Sequence, residues 1–470
     1  MTGEVTQAIA TFAAGAGYAD LPENVLERGR IHMLDTLGLA LAGSCSDVAR
    51  ICREQLVDDG IATDAPTARK AAIFNTALYA APRFAAAANA AAAHADNFDD
   101  TTPQVRPERT GGIHASGSVL PAVLALGEAT GASGRDAALA YHVGVDVASR
   151  LNHAIGPRHY GTGFHTTGTM GIFGVVAAAA ALRGFDEAKT VAAIGLAASH
   201  AAGVRRNFGT MAEVLHPAQA AEAGLLCADL AARGATAADD ALDGPVGYFA
   251  AAADGFDPGE IVGKLGSPWV FEDPGVWIKP HPNGALTHPG AVCLLGLLRD
   301  NGIAPSDISA IRVRTNDRVL KTLIHHNPSD AMQAKFSMEF TLAVIAVEGQ
   351  AGLGEFTDET LARAHIRGMM GRIAFSSYSD DETHPDFTNV TTLVEIERAD
   401  GTTVSGRADY ARGSTRSPMD FAAIEEKFRQ CAVYGGVSAT RADRIVAAVG
   451  GIGDAGSLGG LTAALSGPGS

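Results

Sequence analysis

From residue 1 to about 268 the chain almost never alternates polar with apolar residues. Apolar side chains instead recur every three to four positions, and the runs stop at glycine. "PENVLERGRIHMLDTLGLALAG" (22–43) and "VLPAVLALGEATG" (119–131) show the pattern, which predicts helices closed by glycine C-caps. The run "GIFGVVAAAAAL" (171–182) has no polar face, so a helix over 169–183 is expected to be buried all round. Residues 69–96, rich in alanine, read as one long helix. With 55 glycines and only 6% aromatic residues, such helices must approach one another on small contact faces rather than interlock large rings.

The texture changes after "GSPWVFEDPGVWIKPHPNG" (266–284). Two β-branched, alternating stretches follow, 308–317 and 391–410, the second with an "ADGTT" hairpin turn, and helices are expected around 334–348 and 358–367. The expected fold is therefore mostly α: a large all-helical domain from 1–268 and 413–470, and a smaller α+β lid domain over 269–412. The closing "GGLTAALSGPGS" reads as a frayed end.

Charge narrows the partners. Against 36 basic residues stand 52 acidic ones, a formal net charge of -16, which repels phosphate backbones and anionic membranes. No nucleic-acid or membrane partner is expected, and the apolar run at 171–182 falls short of the roughly 20 residues that span a bilayer. A small anionic substrate remains compatible, because local cations decide its binding. The N-terminus lacks the basic region of a signal peptide, and the five cysteines are scattered rather than paired, so a cytoplasmic protein is expected.

Chemistry-bearing residues collect in a few loops. In "AAAHADNFDDTTP" (91–103), Asp100, Asp99 and Asp96 read backwards give the DDxxD spacing of magnesium-diphosphate sites, but the spacing is a weak signal and a polar helix end is the better reading of it. His114 sits among small residues before a helix, and His165 among glycines and threonines before another, where Thr166, Thr167 or Thr169 could cap and helix N–H groups would favour an anion. Arg205 and Arg206 precede "NFGT" in a loop expected to end at His216-Pro217. Lys279 leads a proline-pinned turn carrying His281 and His288. Histidines at helix starts, interspersed with cations, suit proton transfer at a carbon beside a carboxylate. They suit zinc less, since no H-x-x-x-H pair lies on a helix.

In order, "HADNFDDT" (94–101), "HASG" (114–117), "GFHTTGTMG" (163–171), "NFGTMAEVLHPAQAA" (207–221), "KPHPNG" (279–284), "AKFS" (334–337) and "SPMDFAAIEEKF" (417–428) resemble the motif series of the MmgE/PrpD family over nearly the whole chain. The resemblance implies a helical domain with an α+β lid, a site between them, a homodimer, and dehydratase, decarboxylase or epimerase chemistry on small polycarboxylates without metal or organic cofactor. It assigns catalytic roles to His114, His165 and Lys279 and a hydrogen-bonding role to Thr101. Asn97, Arg205, Glu213, His94 and His281 complete the expected substrate-binding set.

The chain departs from the family pattern at three places. Asn97 stands where aspartate is usual, Glu213 where lysine is usual, and Gly284 where cysteine or histidine is usual. A carboxylate at 213 implies a substrate with fewer carboxylates, a new acid or base, or compensation by a nearby arginine. The leading expectation is a lyase acting on a small di- or tricarboxylate. An epimerase using the same carbanion, and a catalytically silent binding relative, are the alternatives.

Overall fold

The computed structural model describes residues 3–103, 112–379 and 382–467. The "RPERTG" part of the loop before His114 lies outside them. The fold is mostly α, as expected. Its largest core runs from Val5 to Ile278 and resumes from Met419 to Leu465, while a second, separate core spans Ala291 to Ile396.

The centre of the larger core is the helix Thr166–Arg183, flanked by Ala115–Thr130, Gly134–Ala154 and Met211–Ala232. By length and composition this helix could cross a membrane, yet 83% of it is buried inside the protein. Close approach comes from glycine. A Cβ added at Gly174 would lie 2.6 Å from the carbonyl oxygen of Gly144, and one at Gly144 would lie 2.8 Å from the carbonyl oxygen of Gly174. We therefore expect Gly174→Ala to destabilise. Alanine's better helix propensity returns only about 0.5–1 kcal/mol, whereas forcing the two helices apart costs roughly 1–3 kcal/mol. A lower urea midpoint with an unchanged m-value checks this.

The smaller domain holds a four-stranded sheet. Two short strands in the helical part come first in the chain, β1 (Ala71–Ala72) and β2 (Tyr79–Ala80), which pair with each other. In the sheet, β3 (Ile308–Thr315) pairs in parallel with β4 (Ile373–Ser377) and antiparallel with β5 (Thr392–Arg398), and β5 forms a hairpin with β6 (Thr403–Ala408), giving the order β4-β3-β5-β6. Ile311 and Val313 of β3 are buried in the second core, whose helices Met338–Glu348 and His288–Asn301 pack on β4 and on β5 and β6 respectively. Arg312, between them, points the other way and pairs with Glu395 and Glu397.

Three local expectations are corrected. Residues 69–96 are not one helix: β1 and β2 occupy the first part, Asn75 takes a left-handed φ of 57°, and the helix starts only at Pro82–His94. Proline at a first helical position has no N–H to waste there. The helix expected to open at His216-Pro217 instead opens at Met211 and runs through Pro217 to Ala232. The chain end does not fray at once, since Gly459–Leu465 is a helix whose Leu461 and Leu465 are buried.

Candidate active site

Two helix N-termini meet in one cleft. His114 is the N-cap of Ala115–Thr130 and His165 the N-cap of Thr166–Arg183. The threonines of the second start bind the first: Thr166 Oγ1 donates to the Gly112 carbonyl at 2.6 Å, and Thr167 Oγ1 accepts from the His114 N–H at 3.2 Å. The two imidazoles thereby stand with ring centroids 6.3 Å apart, and His94 lies 5.3 Å from His114 and 6.3 Å from His165. The aligned peptide dipoles of both helices favour anions and disfavour imidazolium at these caps.

The acidic stretch is divided among separate partners. Asp96 meets Lys335 Nζ at 2.9 Å, Asp99 meets His94 Nδ1 at 2.7 Å, and Asp100 meets His32 Nδ1 at 2.8 Å and the Ser116 hydroxyl. A diphosphate-metal motif would need these carboxylates to face one space. Instead each fixes a different neighbour, and the stretch becomes one wall of a cavity. Thr101 and Trp277 exchange backbone hydrogen bonds at 2.8 Å, which brings Lys279 against that wall. Lys279 Nζ donates to the Asn97 carbonyl at 2.8 Å and lies 3.8 Å from Asp99 Oδ1. Lys427, in the closing motif, fastens both segments from behind by donating to the carbonyls of Phe98 and Lys279 and pairing with Asp35.

The cavity, about 140 Å³, is lined by Asn97, Thr101, His114, His165, Glu213 and Lys279 on the side of the helical domain. The second side comes from the smaller domain and is mainly apolar, with Leu286, Val319, Leu323, Phe336 and Val390. Phe336 stacks on Phe208 at 5.3 Å, joining the two sides.

Not every expected residue lines it. His94 lies directly behind, completely buried. Arg205 is turned away, its guanidinium 3.7 Å over the Tyr160 ring and bonded to the Tyr160 carbonyl, so cation–π stacking replaces the expected substrate contact. His281 is likewise committed elsewhere, with Nδ1 bonded to the Ala351 carbonyl at 2.9 Å. Two residues outside the expected set belong to the site. Arg318, in the short helix Asp317–Thr322, lines the cavity from the smaller domain. His216 bonds His165, Nδ1 to Nδ1, at 2.7 Å.

Protonation follows from these contacts. Burial opposes charge on His94, but Asp99 and Glu213 on its two nitrogens outweigh it and raise its pKa to about 10. Both ring N–H groups are consumed by carboxylates. Burial opposes charge on Glu213 too, but His94 holds its pKa down at about 2, so Glu213 stays ionised and is not a proton donor near neutrality. Asn97 donates to its other oxygen at 3.2 Å. His114 behaves oppositely: burial and the Lys279 cation press it to about 4. Its Nδ1–H donates to the Asp100 carbonyl at 2.6 Å, leaving Nε2 as an unprotonated base. His165 is also held neutral, mainly by burial, and with Nδ1 taken by His216 its Nε2 is the nitrogen left for a ligand.

The chain is similar to known proteins over most of its length. The chain is 27% identical to cis-aconitate decarboxylase of Homo sapiens over 91% of its own length and 88% of that protein. It is 25% identical to the Mus musculus enzyme of that name, over 91% and 87%, and 26% identical to that of Aspergillus terreus, over 91% and 89%. Residues 7–261 match the MmgE/PrpD N-terminal domain and residues 281–450 the MmgE/PrpD C-terminal domain, so the chain belongs to the MmgE/PrpD family.

Proposed function

We propose that the protein is a lyase that removes carbon dioxide or water from a small di- or tricarboxylate, using its own side chains without metal or organic cofactor. The observation that carries this is the pair of neutral imidazoles, His114 and His165, 6.3 Å apart beside the buried Lys279 ammonium. Either reaction places negative charge on a carbon next to a carboxylate. Lys279 and the two helix N-termini stabilise that charge. In dehydration one imidazole removes the carbon-bound proton and the other protonates the departing hydroxyl. In decarboxylation the electron pair of the breaking carbon–carbon bond passes into the neighbouring conjugated system, and a solvent-derived proton, relayed through an imidazole Nε2, is delivered to the carbon that receives the pair. The names of the relatives favour decarboxylation. Thr101 and Asn97 orient the substrate. The five free thiols suit a cytoplasmic setting, and a homodimer is part of the same reading.

The facing imidazoles would also serve an epimerase, and one experiment separates the two. Incubation with cis-aconitate and related polycarboxylates in deuterium oxide, followed by NMR and carbon dioxide release, should give a product lighter by carbon dioxide or water. A decarboxylation product carries deuterium on the carbon beside a remaining carboxylate to which the electron pair moved. Exchange of a carbon-bound hydrogen with the formula unchanged would overturn the lyase reading in favour of the epimerase.

A further inference from the structure

The two imidazoles of the cleft are held differently at their far nitrogens. His114 Nδ1 bonds the Asp100 carbonyl at 2.6 Å, and a carbonyl only accepts, so the hydrogen stays on Nδ1 and Nε2 keeps its lone pair. His165 Nδ1 instead bonds another imidazole nitrogen, His216 Nδ1, at 2.7 Å. Each nitrogen of a neutral imidazole either donates or accepts, so this bond has two forms. With His165 donating, its Nε2 is a second base. With His216 donating, His165 Nε2 carries the hydrogen.

What else lines the cavity decides between these forms. Glu213 is an ionised carboxylate there, and His114 Nε2 is a lone pair. An anionic ligand facing a third lone pair, on His165 Nε2, would be repelled, whereas an Nε2–H attracts it. His114 cannot make that change, because the Asp100 carbonyl has no hydrogen to offer. His165 can, with no change of charge, because its partner is a second histidine. His216 is also built into its place. It lies one turn beyond Glu213 on the helix Met211–Ala232, and its side chain is confined by two glycines. A Cβ at Gly168 would lie 3.3 Å from His216 Cβ, and one at Gly203, where φ is 133°, would lie 3.3 Å from its Cγ and Cδ2.

We propose that His216 is a positioning residue whose Nδ1–H donates to His165 Nδ1 when a carboxylate occupies the cavity. His165 then turns an Nε2–H toward the ligand, and the two imidazoles divide the work. His114 is the base. His165 is the hydrogen-bond donor, and a neutral imidazole in that role polarises the oxygen on which negative charge collects. This rests on the reading of the cavity as a carboxylate lyase site and assigns the parts within it.

Nitrogen-15 NMR of histidine-labelled protein, saturated with the non-reacting probes succinate and propane-1,2,3-tricarboxylate in turn, tests it and needs only the unaltered chain. We expect His114 to be protonated on Nδ1 and His165 on Nε2, with a through-hydrogen-bond coupling between the Nδ1 atoms of His165 and His216. His165 protonated on Nδ1, or no such coupling, overturns the proposal and leaves the lyase chemistry untouched. The expected tautomers without loss of carbon dioxide or water from any polycarboxylate count against the lyase chemistry alone. No response of any cleft histidine to either probe overturns both. Turnover adds a second readout. His216→Asn places an amide, able to donate or accept, where Nδ1 stands, and His216→Leu places a methyl group there. We expect His216→Leu to lower kcat roughly 10–100-fold, as loss of the partner on an imidazole's second nitrogen does at metal sites. KM should change less than about threefold, because the interaction belongs to the transition state. His216→Asn should stay within about fivefold of the unaltered protein. Equal losses in the two variants would reduce His216 to a packing residue.

Discussion

Replacing His114 by alanine is expected to lower kcat/KM by roughly 10²–10⁴, the usual range for loss of a positioned acid–base group. The reason is local. His114 Nδ1 is anchored on the Asp100 carbonyl, so Nε2 is held as a base at a fixed place beside Lys279. His114→Asn separates anchoring from chemistry, because an amide can still donate to that carbonyl but cannot take up a proton. Equal losses in both variants assign the effect to the base, whereas substantial rescue by asparagine would reduce His114 to a positioning residue. The pH profile provides a second readout. With a pKa pressed down to about 4 by burial and the Lys279 cation, His114 stays deprotonated well below the ordinary histidine range. The acid limb of kcat/KM, which reports the free enzyme, should therefore fall through about 4 while circular dichroism shows the protein still folded. An inflection near 6.5 would remove His114 from the role.

Much of this site was legible in the sequence because its parts are loops at helix starts, and helix starts announce themselves by a polar or glycine-rich stretch before an apolar run. His114, His165 and Lys279 stand out on that basis and through the family motifs, and the fold brings them to one cleft. Arg318 carries no such cue. It follows a strand that reads clearly, and the cue to a helix start, the Asn316 side chain accepting from the Val319 N–H, says nothing about which cavity the helix borders. Arg205 and His281 mark the converse limit. Their residue types fit the chemistry, but only the fold shows that Tyr160 and the Ala351 carbonyl already hold them. The alanine run at 69–96 misled for a related reason: composition favours helix throughout, and the Asn75 turn with Pro82 sets where the helix can begin.

Two departures that look independent along the chain are one arrangement in space. Asn97 and Glu213 are neighbours, joined at 3.2 Å, and Asn97 adopts a left-handed φ of 52° that asparagine tolerates better than most residues. An aspartate at 97 would set two carboxylates against each other. The amide removes that repulsion and leaves Glu213 to be neutralised by His94. The carboxylate at 213 thus neither adds an acid to the site nor needs Arg205. Its counter-charge is internal.

That internal pairing leads to the largest expected effect on stability, for His94→Ala. The imidazolium bridges Asp99 Oδ2 at 2.7 Å and Glu213 Oε1 at 2.9 Å, and all three side chains are almost completely buried. Removing the cation strands two carboxylates out of water, which costs roughly 3–5 kcal/mol. The double variant His94→Ala with Glu213→Gln should recover part of the loss, because only Asp99, still 3.8 Å from Lys279 Nζ, is then left ionised. The pH dependence has a definite sign. The folded pKa of His94, about 10, lies above its unfolded value near 6.5, so its contribution is full below about pH 6.5 and is lost as pH rises toward 10. Asp99 and Glu213 are depressed in the folded state, so their contributions are present above about pH 4 and fade as pH falls through the carboxylate range. The difference in unfolding free energy between wild type and His94→Ala, measured by urea titration, should therefore be largest between about pH 5 and 6.5 and shrink steadily up to pH 10. A difference that stayed flat over that interval would mean that His94 is buried neutral, and that Glu213 is held by other means.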